Sequence, residues 1–153
     1  MNPQRSPIEL ALDQRILVLD GAMGTAIQDR GLTAQDFGGE DLEGCNEYLT
    51  ITRPDVIRDI HEGYLAAGAD LIDTNAFGAT TIAQDDYEMG HLAREMNLAS
   101  ARLAREACDK FSTSDKPRFV AGALGPTPKT ASISPDVNDA GARNITFEQR
   151  SEE

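Results

Sequence analysis

The sequence predicts an α/β protein with a parallel sheet, and two observations support this fold class. Three short apolar runs, residues 15–20, 69–74 and 118–123, each stop at small and polar residues. Runs of this kind are typical of strands buried on both faces of a parallel sheet. Two segments with helical periodicity precede the second and third runs, and parallel strands need such crossover connections.

The first run reads Ile16-Leu17-Val18-Leu19 and is followed by Asp20 and a glycine-containing turn. We expect residues 15–20 to form the first strand. This is also the longest aliphatic stretch, and it is far shorter than the roughly 20 residues that a membrane-spanning helix needs. The second and third runs end in the same way, so three strand ends carry small and polar residues.

The first helical segment is predicted from Thr52, whose spacing to Asp55 matches a capping box, to Gly68, which fits a C-terminal cap. Pro54 is tolerated in the first turn. The second segment, residues 91–110, places one apolar stripe at a period of 3.6. The stripe consists of Leu92, Met96, Ala99, Leu103 and Ala107.

Residues 31–51 are acidic and carry no helical or strand pattern, which predicts a long loop. A solvated surface loop is the simpler interpretation, and a functional loop is the alternative. Near the other end, residues 146–149 again have the capping-box pattern of a helix start, yet few residues follow. We therefore expect residues 1–153 to be the N-terminal portion of a domain that is truncated at its C-terminal end.

Charge and cysteine content exclude several classes of partner. The chain holds 26 acidic and 14 basic residues, a formal charge of -12. Repulsion from phosphates then disfavours nucleic acid and anionic membranes. The N-terminus has no apolar signal segment. Cys45 and Cys108 are too few for a disulfide framework, so we expect reduced thiols and a cytoplasmic location.

Ligands of parallel α/β folds bind at the carboxyl ends of the strands. In this sequence Asp20 and Thr127 follow the first and third runs, and the second run ends in Asp73, Thr74 and Asn75. Glycines beside them let a ligand approach the backbone closely, although each could also serve only a tight turn. These glycines are Gly21, Gly24, Gly78, Gly122 and Gly125.

Other motifs are absent from the sequence. No Walker or dinucleotide-binding pattern follows the first run, and His61 lacks the second histidine of a zinc-protease helix. We expect His61 and His91 to serve helix packing or the surface, and Cys108 to be a small core residue. Cys45 has no neighbouring cation that would activate it. Because Cys and His are scattered, the sequence predicts no metal ligands and no catalytic side chain of its own.

Several strings together resemble the homocysteine S-methyltransferase family. They are residues 18–25 (VLDGAMGT), 44–47 (GCNE), 52–57 (TRPDVI), 68–80 (GADLIDTNAFGAT) and 121–127 (AGALGPT). Residues 129–138 (KTASISPDVN) and 143–147 (RNITF) resemble most closely the cobalamin-dependent methionine synthases of that family. Pro128, Ala140 and Ala142 depart from the usual pattern, and they affect only loop details.

This resemblance implies a partial (β/α)8 TIM barrel, with about the first three strands and their helices in this chain. It implies a methyltransferase that moves a methyl group from methylcobalamin to zinc-bound homocysteine to give methionine. Zinc and cobalamin belong to the full-length enzyme, and this chain has ligands for neither. Expected partners are homocysteine, the missing C-terminal half of the barrel and the folate and cobalamin domains. The isolated fragment is expected to be inactive and to bind no zinc.

The resemblance also implies a substrate site at the strand ends, with Asp20, Gly21, Thr74 and Asn75 as substrate-binding residues. Asp20 would accept hydrogen bonds from the homocysteine ammonium. The alternative for Asp20 is a turn residue that caps the backbone at Met23 or Gly24. Two other functions stay open. One is methyl transfer from betaine or S-methylmethionine, and the other is a half-barrel without catalytic activity.

Overall fold

The computed structural model describes residues 5–129 and 132–148, and it contains helices packed against a small parallel sheet. The strands are β1 (Leu71–Asp73) and β2 (Phe119–Ala121). The α-helices are α1 (Pro7–Gln14), α2 (Met23–Gln28), α3 (Ala34–Phe37), α4 (Leu49–Thr52), α5 (Pro54–Ala67), α6 (Thr81–Gln84) and α7 (Ala93–Phe111). Short 3-10 helices span Glu40–Leu42, Asn46–Tyr48, Asp85–Tyr87 and Gly90–Leu92.

None of the described helices is long and apolar enough to cross a membrane. The helix start predicted at residues 146–149 runs beyond the described residues.

The sheet confirms two of the three predicted strands. β1 and β2 pair in parallel, with Leu71 opposite Phe119. The first predicted strand is wrong in extent, since only Leu19 forms a bridge, to Leu71 on the free edge of β1. The Asp20 amide donates to the Leu71 carbonyl (3.0 Å), and the Asp70 amide donates to the Val18 carbonyl (2.7 Å). Residues 15–20 therefore lie along β1 in the expected order but make few ladder hydrogen bonds.

The two long predicted helices are confirmed, and they pack side by side. Ion pairs join Arg58 to Glu106 (3.4 Å) and Glu62 to Lys110 (2.6 Å), so α5 and α7 run parallel. The predicted stripe of α7 faces the core, although its first residue, Leu92, precedes the helix. Buried core residues from both helices are Ile57, Ile60, Leu65, Met96, Leu103, Ala104 and Ala107.

The ends of α5 confirm one predicted cap and correct the other. Gly68 has a φ of 114°, the left-handed conformation that glycine adopts without strain. The capping box at Thr52 is wrong, because Thr52 ends α4 and its hydroxyl donates to the Tyr48 carbonyl (3.4 Å). Arg53 occupies the N-cap position instead, and its guanidinium pairs with Asp36 and Asp55. Within the described residues, no side chain caps the first amides of α5.

The acidic segment 31–51 is structured, which corrects the predicted loop. It holds α3, two 3-10 helices and the start of α4. Phe37, Cys45 and Leu49 are buried among them, with Phe37 and Leu49 in the same cluster as Ile57 of α5. Each piece is only three or four residues long, so no periodic pattern could develop in the sequence.

At the amino ends of the strands, Asp70 joins three parts of the chain. Its carboxylate is 1% exposed and accepts two hydrogen bonds from the Arg15 guanidinium (both 2.7 Å). It also accepts the Val18 amide (3.0 Å), and Lys116 and Arg118 lie within 4.0 Å. The Arg15 hydrogen bonds lower the pKa of Asp70 to about 2 against the opposing effect of burial.

The helix-packing role expected of His61 is confirmed, but its burial is complete. Within the part of the chain that the structure describes, neither ring nitrogen has a hydrogen-bond partner, and the side chain is fully buried. Burial lowers the pKa of His61 to about 4. His91 lies on the surface, and Cys108 is buried in the core as predicted, its Sγ 3.4 Å from the Phe119 carbonyl.

We expect His61→Leu to remove part of the acid sensitivity of the fold. The folded-state pKa lies below the ordinary value of 6.5, so neutral His61 is compatible with the fold above pH 6.5. Between pH 6.5 and about 4, protonation favours the unfolded chain by up to about 3 kcal/mol. Urea unfolding at pH 7 and pH 4.5 should show a smaller stability loss in the variant than in the parent. His91→Leu is the matched control, and an equal loss in parent and H61L would contradict the assignment.

Candidate functional site

The carboxyl ends of residues 15–20, β1 and β2 border a cavity of about 370 Å³. We call it the strand-end cavity. It contains all four residues predicted to bind substrate, Asp20, Gly21, Thr74 and Asn75. Thr127, the other polar strand-end residue, lies on a different cavity. The remaining lining residues of the strand-end cavity are Ala22, Met23, Gly24, Asn46, Glu47, Asp73, Phe77 and Ala123.

Thr74 and Asn75 are buried and hold the cavity walls together. The Thr74 hydroxyl oxygen accepts the Ala123 amide (3.0 Å), which ties the segment after β2 to the end of β1. The Asn75 side-chain amide donates to the Asn46 carbonyl (2.8 Å), which ties the acidic segment to the same point. Their observed contacts shape the cavity, and their contact with substrate stays a prediction.

Asp20 is half-buried at the end of the first run. Both carboxylate oxygens lie 3.2 Å from the Asp73 amide, which donates to them. Burial raises the pKa of Asp20 to about 6, the Asp73 amide opposes this, and the Asp73 charge adds to it. No side chain caps α2, whose N-cap is Ala22, so the described contacts do not support a cap at Met23.

Glu47 is the functional candidate that the residue pattern did not single out. Its Oε1 accepts the Gly78 amide (2.8 Å), so Glu47 anchors the acidic segment above β1. A Cβ at Gly78 would lie 2.9 Å from that oxygen, so a larger residue there would displace the end of the Glu47 side chain. Two features of the sequence could have identified Glu47. One is the GCNE string at residues 44–47, and the other is the alternative that residues 31–51 form a functional loop.

Three carboxylates, those of Asp20, Glu47 and Asp73, line the strand-end cavity, and its described lining includes no Lys, Arg or His. Such a cavity has a negative potential and favours a cationic group such as an ammonium. Its floor is formed by backbone at three strand ends, so a bound amino acid could also contact main-chain groups. The arrangement suits binding and orientation of a small amino compound.

The described residues do not provide a zinc site. Among them no group of three or more His, Cys, Asp and Glu could hold a metal ion. Cys45 is buried and lies 3.1 Å from the Gln84 side-chain oxygen, and burial raises the pKa of its thiol. Cys108 is buried at the sheet, and its pKa is raised for the same reason. Neither thiol is disposed to ligate zinc.

Comparisons with known proteins place the chain in a family. The model of the homocysteine S-methyltransferase family matches residues 17–152. The structure is similar to the metallated form of the Escherichia coli homocysteine methyltransferase MmuM, with a TM-score of 0.65 and 26% identity over 79% of this chain and 42% of that one. It is also similar to the oxidized form, with a TM-score of 0.66 and 28% identity over 80% of this chain and 41% of that one. The chain thus spans about two-fifths of the length of these solved structures, and it belongs to the homocysteine S-methyltransferase family.

Proposed function

We propose that this chain is part of a methyltransferase whose methyl acceptor is homocysteine, and that the strand-end cavity holds the amino acid end of that substrate. The observation that carries the proposal is the carboxylate-lined cavity at the strand ends of a chain that belongs to this family. Asp20, Gly21, Thr74 and Asn75 are the proposed substrate-binding residues.

Asp20 has the chemistry to receive the substrate ammonium. Its pKa of about 6 leaves it mostly ionised at pH 7, and a bound ammonium would favour ionisation further. A charge-assisted hydrogen bond between the two is stronger than a neutral one. Asp73 and Glu47 add negative charge around the same position, and Gly21 leaves its backbone accessible.

The finer assignment is also a proposal. We infer a cobalamin-dependent methionine synthase of the cytoplasm, because residues 129–138 and 143–147 resemble that group. Residues 1–153 would form the N-terminal portion of its (β/α)8 barrel, completed by the rest of the barrel and by folate and cobalamin domains. Zinc and cobalamin would be held outside the described residues. A bound zinc ion activates a thiol by removing its proton.

We expect Asp20→Asn to weaken homocysteine use in the complete enzyme. Loss of a charge-assisted hydrogen bond of about 1.5–3 kcal/mol corresponds to a rise in apparent KM of roughly 10- to 150-fold. Steady-state kinetics with homocysteine as the varied substrate measures it. Asp59→Asn is the matched control, because Asp59 forms an exposed ion pair with Arg30 and does not line the strand-end cavity.

The zinc content of the Asp20→Asn enzyme should stay unchanged, because the metal is held elsewhere. A correctly folded variant with unaltered KM would contradict the substrate role and leave Asp20 with only its hydrogen bond to the Asp73 amide.

The methyl donor is tested separately, with methylcobalamin, betaine and S-methylmethionine offered to the parent enzyme. Turnover with betaine or S-methylmethionine alone would support the alternative donors, and no turnover with any donor would support a half-barrel without activity.

A further inference from the structure

A second and larger cavity, of about 530 Å³, lies beside the strand-end cavity, and the two share Ala123. We call it the Arg94 cavity. It opens between the segment after β1, the start of α7 and the segment after β2. Its apolar walls come from Ala76, Ala79, Ala93, Ala123, Leu124 and Pro126, and its polar lining from Thr80, Thr81, Arg94, Asn97 and Thr127. A cavity of this size and composition is typical of small-molecule sites.

The wall formed by residues 123–127 is held in place along its length. At one end the Ala123 amide donates to the Thr74 hydroxyl oxygen (3.0 Å), and beyond the other end Lys129 pairs with Asp85 (3.7 Å). Between them Gly125 crosses the Phe77 backbone so closely that a Cβ would lie 2.0 Å from the Phe77 carbonyl oxygen. The cavity is therefore a built feature between anchored segments.

Arg94 is the only charged residue among the described lining of this cavity. Its guanidinium is exposed and has no ion pair or hydrogen bond within the described residues, whereas Arg58 and Arg105 of α5 and α7 are paired. Arg102 of the same helix is also exposed and unpaired within the described residues, but it lies outside the cavity, so the position of Arg94 in the lining is what distinguishes it. An unpaired guanidinium beside an apolar wall matches a ligand that carries an anion and a hydrophobic group.

Asn97 adds a fixed polar group next to Arg94. Its side-chain amide donates to the Ala79 carbonyl (2.6 Å) and the Ala93 carbonyl (2.9 Å), which fixes the orientation of the side chain. With the NH2 group engaged, the side-chain oxygen is left as the acceptor. Thr80 is engaged as the N-cap of α6, where its hydroxyl oxygen accepts the Ala83 amide (3.1 Å). Arg94 is thus the group available for an anion.

We propose that the Arg94 cavity is a second small-molecule site, which takes a carboxylate with a compact apolar body and uses Arg94 as its counter-ion. The apolar body would lie against Ala79 and Ala123, with Leu124, which is 95% exposed, at the rim. The proposal is independent of methyl transfer, because it rests on the cavity and its charge and not on the strand-end cavity. A carboxylate site would then lie next to the strand-end cavity, which is suited to an ammonium.

The test is titration of the native full-length protein with 3-phenylpropionate, followed by amide NMR shifts and calorimetry. We expect shifts concentrated at Ala79 and at residues 123–127. Arg94→Ala should weaken binding at least about tenfold, the scale of one charge-assisted hydrogen bond. Arg102→Ala is the matched control, since Arg102 is also exposed on α7 and lies outside the lining. The neutral 3-phenylpropionamide should bind the parent as weakly as the carboxylate binds the Arg94 variant.

Two results would overturn the proposal. One is equal affinity of the parent and Arg94→Ala, with urea midpoints showing that both are folded. Arg94→Gln, which keeps the length and polarity of the side chain, guards against a misfolded alanine variant and should also lose affinity. The other is a shift map centred on Ile16 and Leu19, which would place the probe on the exposed face of the sheet. Neither result would bear on homocysteine binding at Asp20, so the two proposals fail separately.

Discussion

Replacing Asp70 with Asn is expected to lower the free energy of unfolding by about 1.5–3 kcal/mol, the range for a hydrogen bond to a charged group, because Arg15 and Lys116 are 38% and 41% exposed and can turn to solvent. The Asp70 carboxylate is 1% exposed and accepts three hydrogen bonds, two from Arg15 and one from the Val18 amide. Asn keeps the shape but removes the charge that faces Arg15, Lys116 and Arg118. These cations would then lie near one another without a counter-ion.

Urea unfolding followed by far-ultraviolet circular dichroism measures the effect, with Asp59→Asn as the control. Asp59 also pairs with an arginine, Arg30, but its side chain is 64% exposed. Exposed pairs contribute up to about 1 kcal/mol, so D59N should change the midpoint little. Equal midpoints for D70N and D59N would contradict the structural role of Asp70.

The same network predicts a direction for acid unfolding. The folded-state pKa of Asp70, about 2, lies below its ordinary value of 3.8. Its contribution to stability is therefore present above pH 3.8 and is lost as the pH falls toward 2. The difference in stability between the parent and D70N should shrink over that interval, which unfolding curves at pH 5 and pH 2.5 would show.

The elements that the sequence predicted correctly are those whose local pattern is long enough to be specific. The stripe of α7 and the left-handed cap at Gly68 depend on neighbouring residues alone. Residues 15–20 do not form the full strand that was predicted, because strand pairing depends on neighbouring strands and on the residues that cover the sheet. Its Ile16 side chain is 88% exposed, so among the described residues nothing covers the face that a buried strand requires.

The strand-end residues were predictable because the topology of parallel sheets brings strand ends together wherever the strands lie in the chain. Asp20, Thr74 and Asn75 therefore meet on one cavity, although the sequence separates Asp20 from the others by more than 50 positions. Glu47 was not predicted from the residue pattern, since its place depends on how the pieces of segment 31–51 fold onto α5 and α7. Complete burial of His61 was also missed, although Ile57 and Leu65, four positions on either side of it in α5, are buried apolar residues.

The largest effect expected for the 153-residue chain on its own is self-association with no methyl transfer. Both edges of the small sheet are open among the described residues, since residues 15–20 and β2 each have one neighbour. Open edges beside apolar side chains template association. Exposed large apolar side chains near the strands are Ile16, Val18, Leu19, Phe77 and Leu124.

Val18 and Leu12 provide a matched test of this expectation, because both side chains are 56% exposed and only Val18 lies along the sheet. The charge of -12 opposes association, but salt screens it beyond about 8 Å at physiological ionic strength. Sedimentation velocity should therefore show association of the parent chain in 0.15 M salt. Val18→Lys should reduce that association several-fold, because lysine on an edge strand blocks pairing, and Leu12→Lys should reduce it less. A parent chain that stays monomeric in 0.15 M salt and methylates homocysteine unaided would contradict this expectation.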